Sequence, residues 1–218
     1  MNHPAKIKIC GVKEKKVAQE AQDLGASHLG FILYEKSPRF IPFQSALDII
    51  DSLVQPKPSM VLVDVAPNPS KLLSRNHPAI DFFQIHFPLD MDQNWIREWS
   101  EIVGPEKLWL APQIPPNETF PETLLPLANG FVIDAYSESA FGGTGNKSDW
   151  NEFIRLRNIF PKKHWILAGG LSPSNLLEAA IQAQPFLLDC NSGIEDSPGK
   201  KNLEKMKQLF VALADFPK

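Results

Sequence analysis

A small set of side chains in this sequence has the chemistry to move protons or hold an anion: Cys10, Asp64, Gln84, His86, Asp134, Asp189 and Arg39. A thiol becomes a competent base once neighbouring positive charge or amide dipoles lower its pKa. A carboxyl becomes a competent acid when a partly closed pocket raises its pKa toward neutrality. An arginine pairs with a carboxylate through a charge-assisted fork. Glycine-rich stretches accompany these residues. Ala168-Gly169-Gly170-Leu171, running toward Pro173, and Asn191-Ser192-Gly193 would expose backbone amides to an anion such as phosphate. Gly142-Gly143-Thr144-Gly145 reads as a close-approach loop or lid. Each feature also has an ordinary reading: a buried cysteine fills a core, an aspartate caps a helix, a Gly-Gly pair makes a turn. Their position along the fold decides between the two.

Short apolar runs recur with helical patterns between them. The runs are Ile7–Cys10, His28–Leu33, Met60–Val65, Phe82–His86, Lys107–Ala111, Gly130–Ala135, Trp165–Ala168 and Phe186–Cys190. Most are continuously apolar, as parallel strands buried on both faces must be. Helical patterns cover Lys13–Leu24, Gln44–Leu53, Pro69–Asn76, Asp92–Val103, Pro121–Leu127, Asp149–Asn158, Pro173–Ala183 and Lys200–Ala214. Asn68 before Pro69 and Ser172 before Pro173 predict helix starts, a cap residue preceding a first-turn proline. The fifth helix is weak, because Pro112, Pro115, Pro116, Pro121 and Pro126 crowd it. Repeated strand–helix alternation implies a parallel sheet covered by helices. No G-x-G-x-x-G follows the first strand, which argues against an open doubly wound sheet. Closure leaves no edge strand, so the expected fold is α/β, a single (β/α)8 TIM barrel spanning residues 1–218. In that fold the site lies at the C-terminal ends of the strands, where the candidate residues cluster. Strand parity puts Lys8 with Cys10, Gln84 with His86, and Asp189 with Asn191. Cys190 takes the opposite parity and should face the helices, which argues against a Cys10–Cys190 disulfide.

Composition narrows the function classes. The net charge of −3 over 218 residues, without a basic run, gives no reason to expect nucleic acid or an anionic membrane as partner. The apolar runs are far shorter than the roughly 20 residues that span a bilayer. The polar stretch Met1–Lys8 lacks the apolar segment of a secretion signal, and two cysteines make no disulfide framework, so a cytoplasmic location is expected.

The set KICG (Lys8–Gly11), LGFIL (Leu29–Leu33), SPRFI (Ser37–Ile41), QIH (Gln84–His86), FVIDA (Phe131–Ala135), FGGTG (Phe141–Gly145), SDW (Ser148–Trp150), LAGGLSPSN (Leu167–Asn175) and LDCNSGIEDSPGKKN (Leu188–Asn202) resembles the phosphoribosylanthranilate isomerase family of tryptophan biosynthesis. The likeness runs in order from the first strand to the last helix. It implies the Amadori rearrangement of N-(5′-phosphoribosyl)anthranilate, with neither cofactor nor metal. By the same resemblance Asp134 is the acid that opens the ribose ring and Cys10 the base that removes the C2′ proton. Arg39 would hold the anthranilate carboxylate. Gly143, Gly169, Gly170, Ser192 and Gly193 would surround the phosphorylated substrate, with Gln84 and Asp189 contacting or ordering it. Family members occur as monomers, homodimers and fused domains.

The chain departs from the family pattern at named points. The usual Q-L-H-G-[DN]-E is Gln84-Ile85-His86-Phe87-Pro88-Leu89-Asp90, and V-G-V-F is Val61-Leu62-Val63-Asp64. Lys13 lies near the place of a common threonine, and the usual FDW is Ser148-Asp149-Trp150. These changes motivate two rivals: a barrel shifted to another sugar phosphate, and a non-catalytic paralogue that binds a phosphorylated ligand or a protein.

Overall fold

A computed structural model describes residues 6–115, 118–134, 150–214 and 216. Eight parallel strands close into a barrel in sequence order: β1 (Ile7–Cys10), β2 (His28–Ile32), β3 (Ser59–Val65), β4 (Phe82–Pro88), β5 (Leu108–Gln113), β6 (Gly130–Ile133), β7 (His164–Leu167) and β8 (Leu187–Cys190). Closure comes from β1 pairing with β8, Lys8 opposite Asp189. Every predicted strand is present, with ends shifted by up to two residues.

The helices are α1 (Lys15–Asp23), α2 (Phe43–Asp51), α3 (Pro69–Leu73), α4 (Gln93–Val103), α5 (Trp150–Ile159), α6 (Leu176–Ala183) and α7 (Leu203–Leu213). The proline-crowded segment forms only a 3-10 turn over Glu122–Leu127, as its composition requires. Asn68 caps α3 through the Ser70 amide, as predicted. Ser172 does not start α6. The Asn175 side chain accepts from the Ser172 amide at 2.9 Å and donates to the Gly170 carbonyl at 3.0 Å, holding residues 172–175 as a turn, and α6 begins at Leu176. Lys200 likewise does not start α7. Lys200–Lys201 form β10 of a small antiparallel hairpin with β9 (Glu195–Ser197).

Alternation along the strands splits the interior in two. One apolar cluster lies between barrel and helices and contains Cys190. The other fills the barrel with Cys10, Ile32, Val61, Val63, Trp109, Ala111, Val132, Ile166, Ala168 and Leu187. The two thiols therefore lie on opposite faces of the sheet, and both are free. His28 sits in the barrel against the rings of Phe82 and Trp109, with centroids at 5.7 and 5.5 Å.

Burial, reinforced by the nearby Lys8 charge, lowers the pKa of both His28 and His86 to about 4. Both rings are neutral in the fold, while the unfolded chain protonates them near pH 6.5. Their effect is absent at pH 7, grows as pH falls below 6.5, and levels off near 4. At full development it amounts to roughly 3 kcal/mol of lost stability per ring. Urea unfolding should thus show a falling midpoint between pH 6.5 and 4.5, with a shallower fall in His28→Asn. A midpoint flat over that window would refute the buried neutral state.

Candidate active site

Side chains that end the strands converge on one cavity at the C-terminal mouth of the barrel. It encloses about 660 Å³ including its opening. Cys10, Arg39, Gln84, His86, Asp134, Gly169, Gly170, Asp189 and Ser192 all line it. Six different segments of a 218-residue chain do not bring their polar residues together by solvation alone; period-two alternation on closed strands does it. Gly193 does not line the cavity. A Cβ there would lie 2.0 Å from the Leu171 carbonyl oxygen, so its missing side chain lets the loop after β8 pack on the loop after β7. Gly143 lies outside the described residues.

The floor is a buried polar network. The Lys8 ammonium, wholly enclosed, donates to Gln84 Oε1 at 2.6 Å and to Asp189 Oδ2 at 2.7 Å. An ammonium can only donate, which fixes the Gln84 amide with its oxygen toward Lys8. Gln84 Nε2 then donates to His86 Nε2 at 2.9 Å, placing the proton of the neutral imidazole on Nδ1. Asp189 Oδ1 is buried and takes no hydrogen bond among the described residues. A buried carboxylate oxygen in that state is an acceptor for a ligand hydroxyl.

Cys10 stands over this network. Burial is the largest influence on its thiol and pushes the pKa up; the Asp189 charge adds to that. The Lys8 and Lys201 charges pull the other way without overcoming it. For Lys8, burial pulls the pKa down, but Asp189 and Cys10 prevail and the ammonium is held above its ordinary value. Lys8 thus supports the thiolate, as its parity suggests, yet the net balance in the free protein favours the thiol. Space is equally tight. A Cβ on Gly30 would lie 2.8 Å from both Cys10 Sγ and Lys8 Cε, so only glycine at this point of β2 leaves room for the pair.

Asp134 follows the last residue of β6 and is partly exposed at the cavity wall. Arg39 is buried, and its Nε and Nη2 grip the Glu195 carboxylate at 2.8–3.2 Å. Across the cavity, Gly169 and Gly170 adopt left-handed φ of 89° and 62°, bending the chain at the rim immediately after β7. Sequence spacing alone does not single out Glu195 or Lys201. Both lie in the stretch Leu188–Asn202, but nothing local to it points to Arg39, 156 positions from Glu195.

The departures on β3 and β4 take different positions. Asp64 reaches the cavity edge, but its carboxylate pairs with Arg75 and accepts from the Val65 amide. Phe87 packs edge-on against Trp99 of α4, with centroids 5.8 Å apart. Phe87 therefore repacks the outer layer, Asp64 stays at the cavity paired with Arg75, and Gln84 and His86 keep their inward positions.

A family model described as N-(5′phosphoribosyl)anthranilate (PRA) isomerase matches residues 7–212. An N-(5′-phosphoribosyl)anthranilate isomerase of Synechococcus sp. is 33% identical over 215 residues, 96% of this chain and 96% of the relative. The solved phosphoribosyl anthranilate isomerase of Thermus thermophilus is similar with a TM-score of 0.80 and 27% identity, covering 97% of this chain and 100% of that one. Another solved phosphoribosyl anthranilate isomerase, TM-score 0.72 and 23% identity over 96% and 98% of the two chains, is in complex with reduced 1-(o-carboxyphenylamino)-1-deoxyribulose 5-phosphate.

Proposed function

The chain belongs to the N-(5′-phosphoribosyl)anthranilate isomerase family, and we propose from that premise that Cys10 and Asp134 divide the base and acid work of its reaction. The reaction is the Amadori rearrangement of N-(5′-phosphoribosyl)anthranilate to 1-(2-carboxyphenylamino)-1-deoxyribulose 5-phosphate in tryptophan biosynthesis. Asp134 donates a proton to the ribose ring oxygen; the C1′–O bond breaks and the nitrogen lone pair forms a cationic Schiff base. The Cys10 thiolate removes the C2′ proton, and the C–H electrons neutralise the iminium to give the enol-form aminoketose. Hydrogen moves within the substrate without net oxidation, so acid and base are the only catalysts required.

The observation that carries this reading is convergence: the thiol, the carboxyl, Arg39 and the glycine-rich rim line one cavity. Arg39 takes the anthranilate carboxylate, the amides around Gly169, Gly170 and Ser192 take the phosphate, and Asp189 Oδ1 accepts from a ribose hydroxyl. The solved relative that holds a reduced carboxyphenylamino-deoxyribulose phosphate supports a phosphorylated, carboxylated ligand of this size. The domain is a single barrel acting in the cytoplasm as a monomer or homodimer. Among the described residues, no helix is long and apolar enough to cross a membrane.

The substrate is fluorescent and loses its emission on turnover. Emission should therefore decay on adding the protein. No decay at about micromolar protein would transfer the reading to a substrate-shifted or non-catalytic barrel.

A further inference from the structure

The β9–β10 hairpin is not required to close the barrel, which is complete at β8. It leaves the mouth after Asn191 and returns at Asn202 to start α7. Two of its charged side chains turn inward. Glu195 holds Arg39 through three contacts, from Nε to both carboxylate oxygens and from Nη2 to Oε2. Lys201, whose side chain is almost wholly enclosed, directs its ammonium to Glu195 Oε1 at 2.8 Å, Asn191 Oδ1 at 2.7 Å and the Asn191 carbonyl at 3.0 Å. An ammonium has three donors, and all three are engaged. One lysine thereby ties the end of β8 to the residue that grips the arginine after β2. Asn191 and Arg39 are both cavity residues.

The hairpin's turn is fastened to the same loop. Gly199 adopts φ +83°, and a Cβ there would lie 2.4 Å from the Pro38 carbonyl oxygen. Lys13 donates to that same oxygen at 3.1 Å. The tip of the hairpin thus rests on the residue preceding Arg39.

Charge fits the same picture. Burial raises the Glu195 carboxyl, but the hydrogen bonds and charges of Arg39 and Lys201 outweigh it and hold the group below the usual carboxylate range. Burial lowers the Lys201 ammonium despite Glu195. Arg39, Lys201 and Glu195 together carry one net positive charge at the rim, suited to a single carboxylate. Because Nε and Nη2 are engaged, the guanidinium plane is fixed and its Nη1 edge donates no hydrogen bond among the described residues. A guanidinium held on one edge presents the other in a set direction, which lowers the entropy lost when it binds.

We propose that Glu195 is a positioning residue, held in place by Lys201 and the Gly199 turn, that aims Arg39 and so sets the enzyme's preference for a substrate whose arylamine carries a carboxylate. This rests on the assignment of Arg39 to the anthranilate carboxylate. Two probes separate the ideas: reduced 1-(o-carboxyphenylamino)-1-deoxyribulose 5-phosphate and the same compound without its carboxyl, each titrated as a competitive inhibitor.

Wild-type protein should bind the carboxylated probe at least about tenfold tighter, the worth of a hydrogen-bonded charged pair. In Glu195→Gln this preference should shrink to within about threefold, while affinity for the carboxyl-free probe changes little. In turnover the same variant should raise KM more than it lowers kcat. Gly199→Ala keeps every charge but pushes the turn off Pro38, and it should also erode the preference. This second variant decides the matter should Glu195→Gln fail to fold. A preference unchanged in the folded variants would overturn the positioning role and leave Arg39's assignment intact. Equal binding of the two probes by wild type would overturn both.

Discussion

Replacing Cys10 by serine should reduce turnover by about 10³-fold, the usual worth of a positioned general base, with unfolding by urea changed little. Serine is nearly isosteric, so the tight contacts with Gly30 and Lys8 survive and the loss reports basicity. The pH dependence carries a second signature. Burial and Asp189 hold the thiol pKa above its ordinary value, and Lys8 and Lys201 oppose this without reversing it. The active thiolate therefore becomes more abundant as pH rises, and kcat/KM, which reports the free enzyme, should still be climbing above about pH 8.5. Ring opening helps at the moment of need, because the cationic Schiff base places positive charge beside the carbon that loses its proton and favours the thiolate. Activity of the serine variant within about tenfold of wild type would remove the thiol from the chemistry.

Why this site was partly legible in the sequence follows from strand geometry. Period-two alternation needs only the strand and its phase, so Cys10, Gln84, His86 and Asp189 were placed inside the barrel, and Cys190 outside it, from the residues alone. Lys8 shows where that method stops. Parity set it beside Cys10, but the direction of the thiol's pKa depends on burial and on Asp189, 179 positions further along the chain. Local chemistry also sufficed for the Asn68 cap, whereas the same logic failed at Ser172, whose hydroxyl is engaged by Ser174 Oγ and Asn175 Oδ1 in the turn that precedes α6. The hairpin escaped for another reason. Strands of three and two residues carry no periodic signal, and Lys200–Lys201 read as the first turn of α7. Phe87 is a change outside the site, since its phase on β4 turns it toward α4, whereas Asp64 lines the cavity with its carboxylate held by Arg75.

Exchanging Asp134 for asparagine should also cost about 10³-fold in kcat, but through a different step. The amide keeps the shape of the carboxyl and has no acidic proton for the ring oxygen, so ring opening becomes slow and C–H cleavage stays fast. In Cys10→Ser the order reverses: the ring opens normally and C2′ deprotonation limits the rate. Substrate deuterated at C2′ distinguishes the two. The serine variant should show a full primary isotope effect on kcat, and the asparagine variant almost none. Placement agrees with this division, since Asp134 is partly exposed at the cavity wall, where a proton can be recovered from solvent, and Cys10 is buried over the Lys8–Asp189 pair. A full isotope effect in Asp134→Asn would assign that carboxyl to the C–H step, and the acid for ring opening would then have to come from another group lining the same cavity.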